Sequence, residues 1–262
     1  MSELHLVHLP MSSHGLGTWA AVRRYAMTSW KNKKRQRVIS RFDEGRALHH
    51  LLTELFGKRA IHPFRAFWAA DERHLEVYGY SSCDAQSLKQ IAREVGLPDA
   101  LAVCEVDKIR SKLMPTEWNV GRRVAFEIRV RPVSRPKYEL PPFRTGAEID
   151  TFLVESMRRF PGPVTSGTGM LQAGRTREAV YTDWLANRLG DSVDLCSGTR
   201  LSRFARVRVA REGCSPEGPD AILRGEFVIK NAASFSEAVT NGVGRHKAYG
   251  YGMLLLRPAQ IV

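Results

Sequence analysis

The stretch NGVGRHKAYGYGMLLLRP, residues 241–258, combines a glycine-rich loop, a basic cluster and an apolar strand. Glycine adopts positive φ freely and exposes backbone N–H groups to an anion that comes close. Arginine and lysine neutralise phosphates, and aromatic rings stack on unpaired bases. The stretch therefore predicts a nucleic-acid-binding loop followed by a closing strand at 251–257. Its candidate RNA-binding residues are Gly242, Gly244, Arg245, His246, Lys247 and Tyr249.

The familiar nucleotide-binding fingerprints do not match this loop. A Walker loop requires Gly-Lys followed by Ser or Thr, and a dinucleotide fingerprint requires a third glycine where this chain has Lys247. The alternative interpretation is an ordinary glycine turn with solvated charges.

The composition favours a polyanionic partner. The 262 residues carry 40 Lys and Arg against 27 Asp and Glu, a formal charge of +13 with a pI near 10. This excess indicates nucleic acid, with a membrane surface as the other candidate. No apolar run approaches the roughly 18 residues of a spanning helix. Four scattered cysteines without a CxxC pair indicate neither a zinc site nor a disulfide framework, so we expect a soluble, cytoplasmic, reduced protein.

The segment from about 18 to 42 is strongly basic and lacks acidic residues. Trp19, Val22, Ala26 and Trp30 are spaced as on a helix. Aromatic residues interleaved with the charges favour RNA or DNA contact over a merely solvated basic face. The candidate residues here are Arg23, Arg24, Tyr25, Lys31, Lys33, Lys34, Arg35, Arg37 and Arg41.

The remaining pattern predicts an α+β fold of two tandem ferredoxin-like (βαββαβ) units. The predicted elements of the first unit are a strand at 4–9, a helix from Asp43 or Glu44 to Gly57, strands at 62–69 and 74–79, a helix at 85–95 and a strand at 101–107. Those of the second are a strand at 123–130, a helix at 176–189, strands at 201–210 and 221–230, a helix at 232–240 and the closing strand. The predicted domains are 1–110, a linker at 111–121, and 122–262 with a helical insertion at about 145–160, a flexible loop GPVTSGTG and the glycine-rich loop at 241–252.

Two further groups of residues are candidates for RNA contact or chemistry. Arg203, Arg206 and Arg208 lie in one predicted strand, where Arg206 and Arg208 share one side. His49 and His50 lie on the helix after the basic segment. Paired histidines on a core helix fit either packing or catalysis.

Four stretches resemble the CasE-type endoribonucleases of the repeat-associated mysterious protein (RAMP) superfamily, which process precursor CRISPR RNA. They are NGVGRHKAYGYGMLLLRPA, ALHHLLTELFG, RRVAFEIRVRPVSR and REAVYTDWLANRL, and together they span most of Gly45–Pro258. The resemblance implies that His49 is the catalytic histidine. Two departures are Arg46, where the family often has tyrosine, and the long basic segment before the histidine helix. A processing enzyme of a less common CRISPR class, such as type IV, would fit the long basic segment.

The resemblance implies a metal-independent endoribonuclease that needs no cofactor. The 2′-OH of RNA attacks the adjacent phosphate and leaves a 2′,3′-cyclic phosphate and a 5′-OH, with His49 as base or acid. Arg23, Arg41 and Arg46 are candidates to stabilise the phosphorane, and Arg23 with Tyr25 is the alternative catalytic pair.

The implied substrate is the repeat stem-loop of precursor CRISPR RNA. The loop and basic residues named above would contact its backbone, and the enzyme would remain bound as an effector-complex subunit. The competing interpretations are a non-catalytic RNA-binding RAMP scaffold subunit and a DNA-binding protein. A metal-dependent nuclease is disfavoured because no paired carboxylate cluster stands out.

Overall fold

The computed structural model describes residues 3–23, 43–69, 73–161, 166–208 and 217–259. The first half of the chain forms a four-stranded sheet of order β2-β3-β1-β4 in which all neighbours are antiparallel. This is the strand order of a ferredoxin-like unit. Its elements are β1 (His5–Ser12), α1 (Ser13–Val22), α2 (Glu44–Phe56), β2 (Phe64–Trp68), β3 (His74–Ser81), α3 (Ala85–Val95), α4 (Pro98–Leu101), a 3₁₀ turn (Val106–Lys108) and β4 (Arg110–Leu113).

The second half repeats the arrangement. Its sheet has the order β11-β5-β10-β8, and β9 pairs with the other end of β10, so β8 and β9 together occupy the place of one strand. The elements are β5 (Arg123–Val130), β6 (Val133–Ser134), β7 (Ile149–Asp150), α5 (Thr151–Arg159), α6 (Ser166–Gln172), α7 (Arg177–Leu189), a 3₁₀ turn (Gly190–Ser192), β8 (Val193–Leu195), β9 (Arg200–Arg208), β10 (Glu217–Ile229), α8 (Ala232–Asn241), a 3₁₀ turn (Lys247–Tyr249) and β11 (Leu254–Pro258).

Helix α2 begins and ends where its sequence dictates. The Asp43 carboxylate accepts a hydrogen bond from the Arg46 N–H at 3.0 Å, and Gly57 takes a φ of 90° just past the last turn. The buried stripe Leu48, Leu51 and Leu55 packs against the first sheet and points the opposite face, with His49 and His50, away from it.

The two sheets are joined by a buried interface. Alternate residues of β1 point in opposite directions, so Val7 and Leu9 pack under the helices of the first half while Leu6 packs against the core of the second. Tyr80 is buried in that second core and donates its O–H to the Leu254 carbonyl at 2.8 Å. The β3–β11 contact therefore fixes the end of the glycine-rich loop relative to the first sheet.

The α+β class and the two ferredoxin-like units are confirmed, but several element predictions are wrong. The apolar run 101–107 is not a strand: Pro98 starts α4, a 3₁₀ turn follows, and only Cys104 forms a bridge, to Met11. Burial of Val103 and Cys104 explains the apolar pattern without strand pairing. The fourth strand is β4, and it crosses the predicted domain boundary at 110; the boundaries themselves stay a prediction.

Part of the loop predicted at GPVTSGTG is helical, since α6 starts at Ser166. Here Gly169 packs against the Phe160 ring, where an added Cβ would lie 2.7 Å from Cγ. Of the helical insertion predicted at about 145–160, Thr151–Arg159 form α5, whereas Ile149 and Asp150 pair in β7. Strand β8 was missed because it has only three residues. The basic segment is described only as far as Arg23.

Gly45 offers a test of how closely the glycine-rich loop packs on α2. A Cβ at this position would lie 2.6 Å from the Tyr249 carbonyl oxygen. Gly→Ala within a helix ordinarily gains roughly 1 kcal/mol, but here the backbone contact must open. We expect Gly45→Ala to lower the free energy of unfolding by about 1–3 kcal/mol, measured by urea denaturation. A gain in stability would contradict the close packing.

Candidate nucleic-acid interface and catalytic site

The glycine-rich loop is closed on itself by backbone hydrogen bonds. Val243 N donates to Gly252 O at 2.8 Å, and Gly252 N donates to Arg129 O in β5 at 2.7 Å. Gly242, Gly244, Gly250 and Gly252 all have φ between 70° and 82°. At Gly252 an added Cβ would lie 2.4 Å from the Val243 carbonyl oxygen. The glycines are thus required by the loop's own geometry.

The closed loop packs against the histidine face of α2. The ring centroids of His49 and Tyr249 are 5.5 Å apart in an edge-on arrangement, and those of His49 and His50 are 5.3 Å apart. Partial burial lowers the pKa of His49, and burial together with His49 and Arg46 lowers that of His50. Both imidazoles are therefore neutral at pH 7, the form that accepts a proton.

A cavity of about 170 Å³ opens beside His49, between α2, the loop that follows α2 and the 3₁₀ turn Lys247–Tyr249. Burial, followed by Arg59, Lys247 and His49, lowers the pKa of His62 in its wall to about 4. Burial and Arg59 also lower the pKa of Lys247. Arg59 itself has φ of 60°, a rare conformation for a side-chain-bearing residue. The lining residues are His49, Leu52, Thr53, Gly57, Arg59, Ile61, His62, Phe64 and Ala248.

The cavity thus places the imidazoles of His49 and His62 near the cations Arg59 and Lys247. A neutral histidine can take a proton from a hydroxyl, and nearby guanidinium and ammonium groups attract and stabilise a phosphate. The arrangement fits acid–base chemistry on a phosphodiester.

Arg245 and His246, both predicted to contact RNA, bind a carboxylate of the chain itself. Arg245 Nε lies 2.8 Å from Glu148 Oε1, and His246 Nε2 lies 2.7 Å from Glu148 Oε2. Arg135 also donates to Oε1, at 2.9 Å. The hydrogen bond to His246 and the charges of His246, Arg245 and Arg135 lower the pKa of Glu148 to about 2 against partial burial. The His246 side chain is buried, and the His246 backbone has a φ of 61°.

Arg23 is likewise held by carboxylates. Its guanidinium donates to Asp99 at 2.6 Å and to Glu54 at 2.8 Å, and it lies over the Trp19 ring at 4.3 Å. The hydrogen bond to Asp99, followed by the two negative charges and the Glu54 hydrogen bond, raises its pKa against burial. This geometry ties α1 to α2 and α4.

The three arginines of β9 do not form one face. Arg206 and Arg208 share a side of the strand, each about 3.5 Å from the Glu217 carboxylate, and are half exposed. Arg203, paired in register with Ile222, lies on the opposite side. Arg46 is half-buried on α2, one turn before His50. Eight predicted residues lie outside the described part of the chain: Arg24, Tyr25, Lys31, Lys33, Lys34, Arg35, Arg37 and Arg41.

Three residues of the site were missed by sequence reasoning. His62 immediately precedes a proline at the start of a predicted strand. A histidine at the end of a turn was the sequence feature that could have marked it as a candidate. Glu148 fell within the helical insertion predicted at about 145–160 and showed no link to the distant loop. Arg59 gave no signal, because its backbone conformation cannot be read from the sequence.

Among the described residues, no group of three or more His, Cys, Asp or Glu side chains is arranged to hold a metal ion. Within the same ranges, no helix is long and apolar enough to cross a membrane.

Comparison with known proteins gives the class to which this chain belongs. The family model described as CRISPR associated protein matches residues 26–258, so the chain is a member of the CRISPR-associated protein family. No curated protein sequence matches it.

Three solved structures share the fold over 98% of this chain and 100% of their own. They are the CRISPR endoribonuclease Cse3 bound to 19-nucleotide RNA (TM-score 0.59, 15% identity), Cse3 of Thermus thermophilus bound to an RNA representing a pre-cleavage complex (0.58, 15%) and Cas6e of Escherichia coli K-12 (0.50, 16%). At such identities the likeness is one of fold.

The shift of the Glu148 pKa predicts an acid-sensitive contribution to stability. A carboxylate whose pKa falls from 4.5 to about 2 on folding stabilises the fold above pH 4.5, and this contribution is lost as the pH falls towards 2. We expect the unfolding free energy of the wild type to fall more steeply between pH 4.5 and 2 than that of Glu148→Gln. Chemical denaturation at several pH values measures both, and parallel curves would refute the shift.

Arg23 gives a contrasting prediction. Because its guanidinium is engaged by Glu54 and Asp99, we expect Arg23→Gln to lower the unfolding free energy by about 1 kcal/mol, measured by urea denaturation. An unfolding free energy equal to that of the wild type would contradict a structural role of Arg23.

Proposed function

We propose that this protein is an endoribonuclease that cleaves the repeat stem-loop of precursor CRISPR RNA without a metal ion. The observation that carries the proposal is the neutral His49 imidazole, which contacts Tyr249 of the glycine-rich loop and lines a cavity beside Arg59, His62 and Lys247. The family and the RNA-bound Cse3 structures of the same fold support it.

In the proposed step, His49 accepts the proton of the 2′-OH as the oxygen attacks the adjacent phosphorus. The bond from phosphorus to the 5′-oxygen breaks, which leaves a 2′,3′-cyclic phosphate on the upstream product. The departing oxygen takes a proton from water to become a 5′-OH, and the protonated His49 returns its proton to the resulting hydroxide. His49 suits the role of base because its lowered pKa keeps it unprotonated at neutral pH.

Cations near the cavity stabilise the charge that develops on the phosphorane oxygens. Lys247 and Arg59 are proposed for this role because both act on the electrostatics of His62 in the cavity wall. Arg46 remains a candidate from the same face of α2, and Arg41 and Tyr25 remain candidates from the basic segment. Arg23 is assigned to stability, since two carboxylates occupy it.

The proposed substrate is an A-form stem, which proteins recognise by its backbone and shape. The half-exposed Arg206 and Arg208 and the exposed Arg203 are proposed to contact the stem, together with the basic segment 24–42. Such contacts would hold the product as well, and retention would make the protein a subunit of a CRISPR effector complex.

A second candidate function is a non-catalytic RNA-binding scaffold of the same fold. The contact between His49 and Tyr249 also fits this function, because His49 is partly buried and packs against the ring as a structural histidine would. Binding of repeat RNA without cleavage would identify this function.

The deciding experiment is cleavage of a labelled repeat hairpin in excess EDTA. We expect the wild type to cleave, His49→Ala to be at least about 100-fold slower, and a 2′-deoxy substitution at the cut site to abolish the reaction. The rate should be constant above pH 7 and fall as the pH drops through the His49 pKa, which lies below 6.5. His14→Ala, which removes an exposed histidine of α1, is the matched control.

Loss of cleavage in EDTA with recovery on adding Mg²⁺ would refute the metal-independent mechanism. Equal rates for His49→Ala and His14→Ala would remove His49 from the chemistry.

A further inference from the structure

Two arginines from distant parts of the chain meet at one carboxylate oxygen. Strands β6 and β7 form a hairpin, residues 133–150, that is inserted after β5. Arg135 follows β6 in this inserted hairpin, and Arg245 belongs to the glycine-rich loop. Each lies within 2.9 Å of Glu148 Oε1, while the other oxygen binds His246. The inserted hairpin is therefore attached to the loop through Glu148, whose carboxylate contacts Arg135, Arg245 and His246.

The solvent exposure of this cluster is uneven. The Glu148 side chain is 16% exposed, whereas those of Arg135 and Arg245 are 48% and 44% exposed. Two guanidinium charges against one carboxylate leave an excess of positive charge, and the exposed part of the cluster is the arginines. A guanidinium presents five N–H donors in a planar fork, so one contact to Glu148 leaves donors that suit an oxyanion.

We propose that Arg135 and Arg245, held side by side by Glu148, form one binding site for a backbone phosphate of the RNA. Glu148 acts as a positioning residue: it fixes the spacing of the two guanidinium groups and neutralises part of their repulsion in the absence of RNA. The inserted hairpin thereby becomes an RNA-binding element joined to the glycine-rich loop. This inference rests on the proposed function, because it requires an RNA substrate.

A neighbouring residue is consistent with this assignment. Tyr138, three residues after Arg135, is 80% exposed in the same hairpin. Exposed aromatic rings beside basic residues are typical of surfaces on which unpaired bases stack. The hairpin thus combines a phosphate site with a ring available to a base.

The alternative is a purely structural ion-pair network between the hairpin and the loop. Surface ion pairs contribute about 1 kcal/mol or less to stability. A structural role would change the melting temperature slightly and leave RNA affinity untouched. A phosphate site would change affinity and also its salt dependence, because each neutralised phosphate adds to the slope of log Kd against log salt.

The test is the affinity of Arg135→Gln for a labelled repeat hairpin with a 2′-deoxy cut site, measured by fluorescence anisotropy from about 50 to 300 mM KCl. We expect Kd to rise about five- to tenfold and the salt slope to fall by about 0.7–0.9. Arg135→Lys, which restores the charge, should recover most of the slope. The control is Arg93→Gln, which removes another exposed, ion-paired arginine on α3 and should match the wild type.

If Arg135→Gln and Arg93→Gln lower the RNA affinity equally, the effect reflects only the loss of one positive charge, and the proposed site is overturned. The proposed site is also overturned if Arg135→Gln has the RNA affinity and salt slope of the wild type. If Arg135→Gln is unfolded by circular dichroism, Arg245→Gln measured in the same way takes its place. A wild type that binds and cleaves repeat RNA while both arginine variants bind normally refutes this site alone. A wild type that binds no repeat RNA refutes the proposed function with it.

Discussion

The candidate site depends on the close approach of two backbones, that of α2 at Gly45 and that of the 3₁₀ turn at Tyr249. Only a residue without a Cβ allows the Tyr249 carbonyl to lie so near the helix. This approach brings the Tyr249 ring to His49 and Lys247 towards His62. Hydrogen bonds from Val243 and Gly252 then fix the loop to itself and to β5. Without this contact, Lys247 of the second half would not lie close to His62 and Arg59 of the first half.

The interface that supports this approach is partly ionic. Arg65 of β2 donates to Glu127 of β5 at 3.2 Å, and Arg224 of β10 donates to the other oxygen of Glu127 at 2.7 Å. Burial lowers the pKa of Arg65 to about 10, yet it remains charged at neutral pH. Because a buried charge that loses its partner costs several kcal/mol, such a pair tolerates few alternative dockings of the two sheets. The relative placement of His49 and the glycine-rich loop is thus tied to an ion pair as well as to packing.

Local sequence patterns predicted the repeated βαββαβ order, since helix stripes, caps and strand alternation are properties of neighbouring residues. Helix α2 was predicted to within a residue by Asp43, its leucine stripe and Gly57. The patterns failed at 101–107, where burial of Val103 and Cys104 imitates a strand without pairing. They also failed wherever function depends on residues far apart in the chain. Glu148 joining Arg135 to Arg245, Arg59 acting on His62, and the carboxylates that occupy Arg23 are tertiary facts, which no periodicity or motif encodes.

The separation of His49 from the glycine-rich loop has a consequence for biogenesis. About 200 residues lie between His49 and Tyr249, so at roughly 5–20 residues per second the ribosome makes the loop some 10–40 s after the helix. During that interval the histidine face of α2 has no loop to pack against. A nascent chain that ends before the loop lacks the Tyr249 ring beside His49 and the Ala248 wall of the cavity. The contact between His49 and Tyr249 is therefore completed only after the glycine-rich loop has left the ribosome.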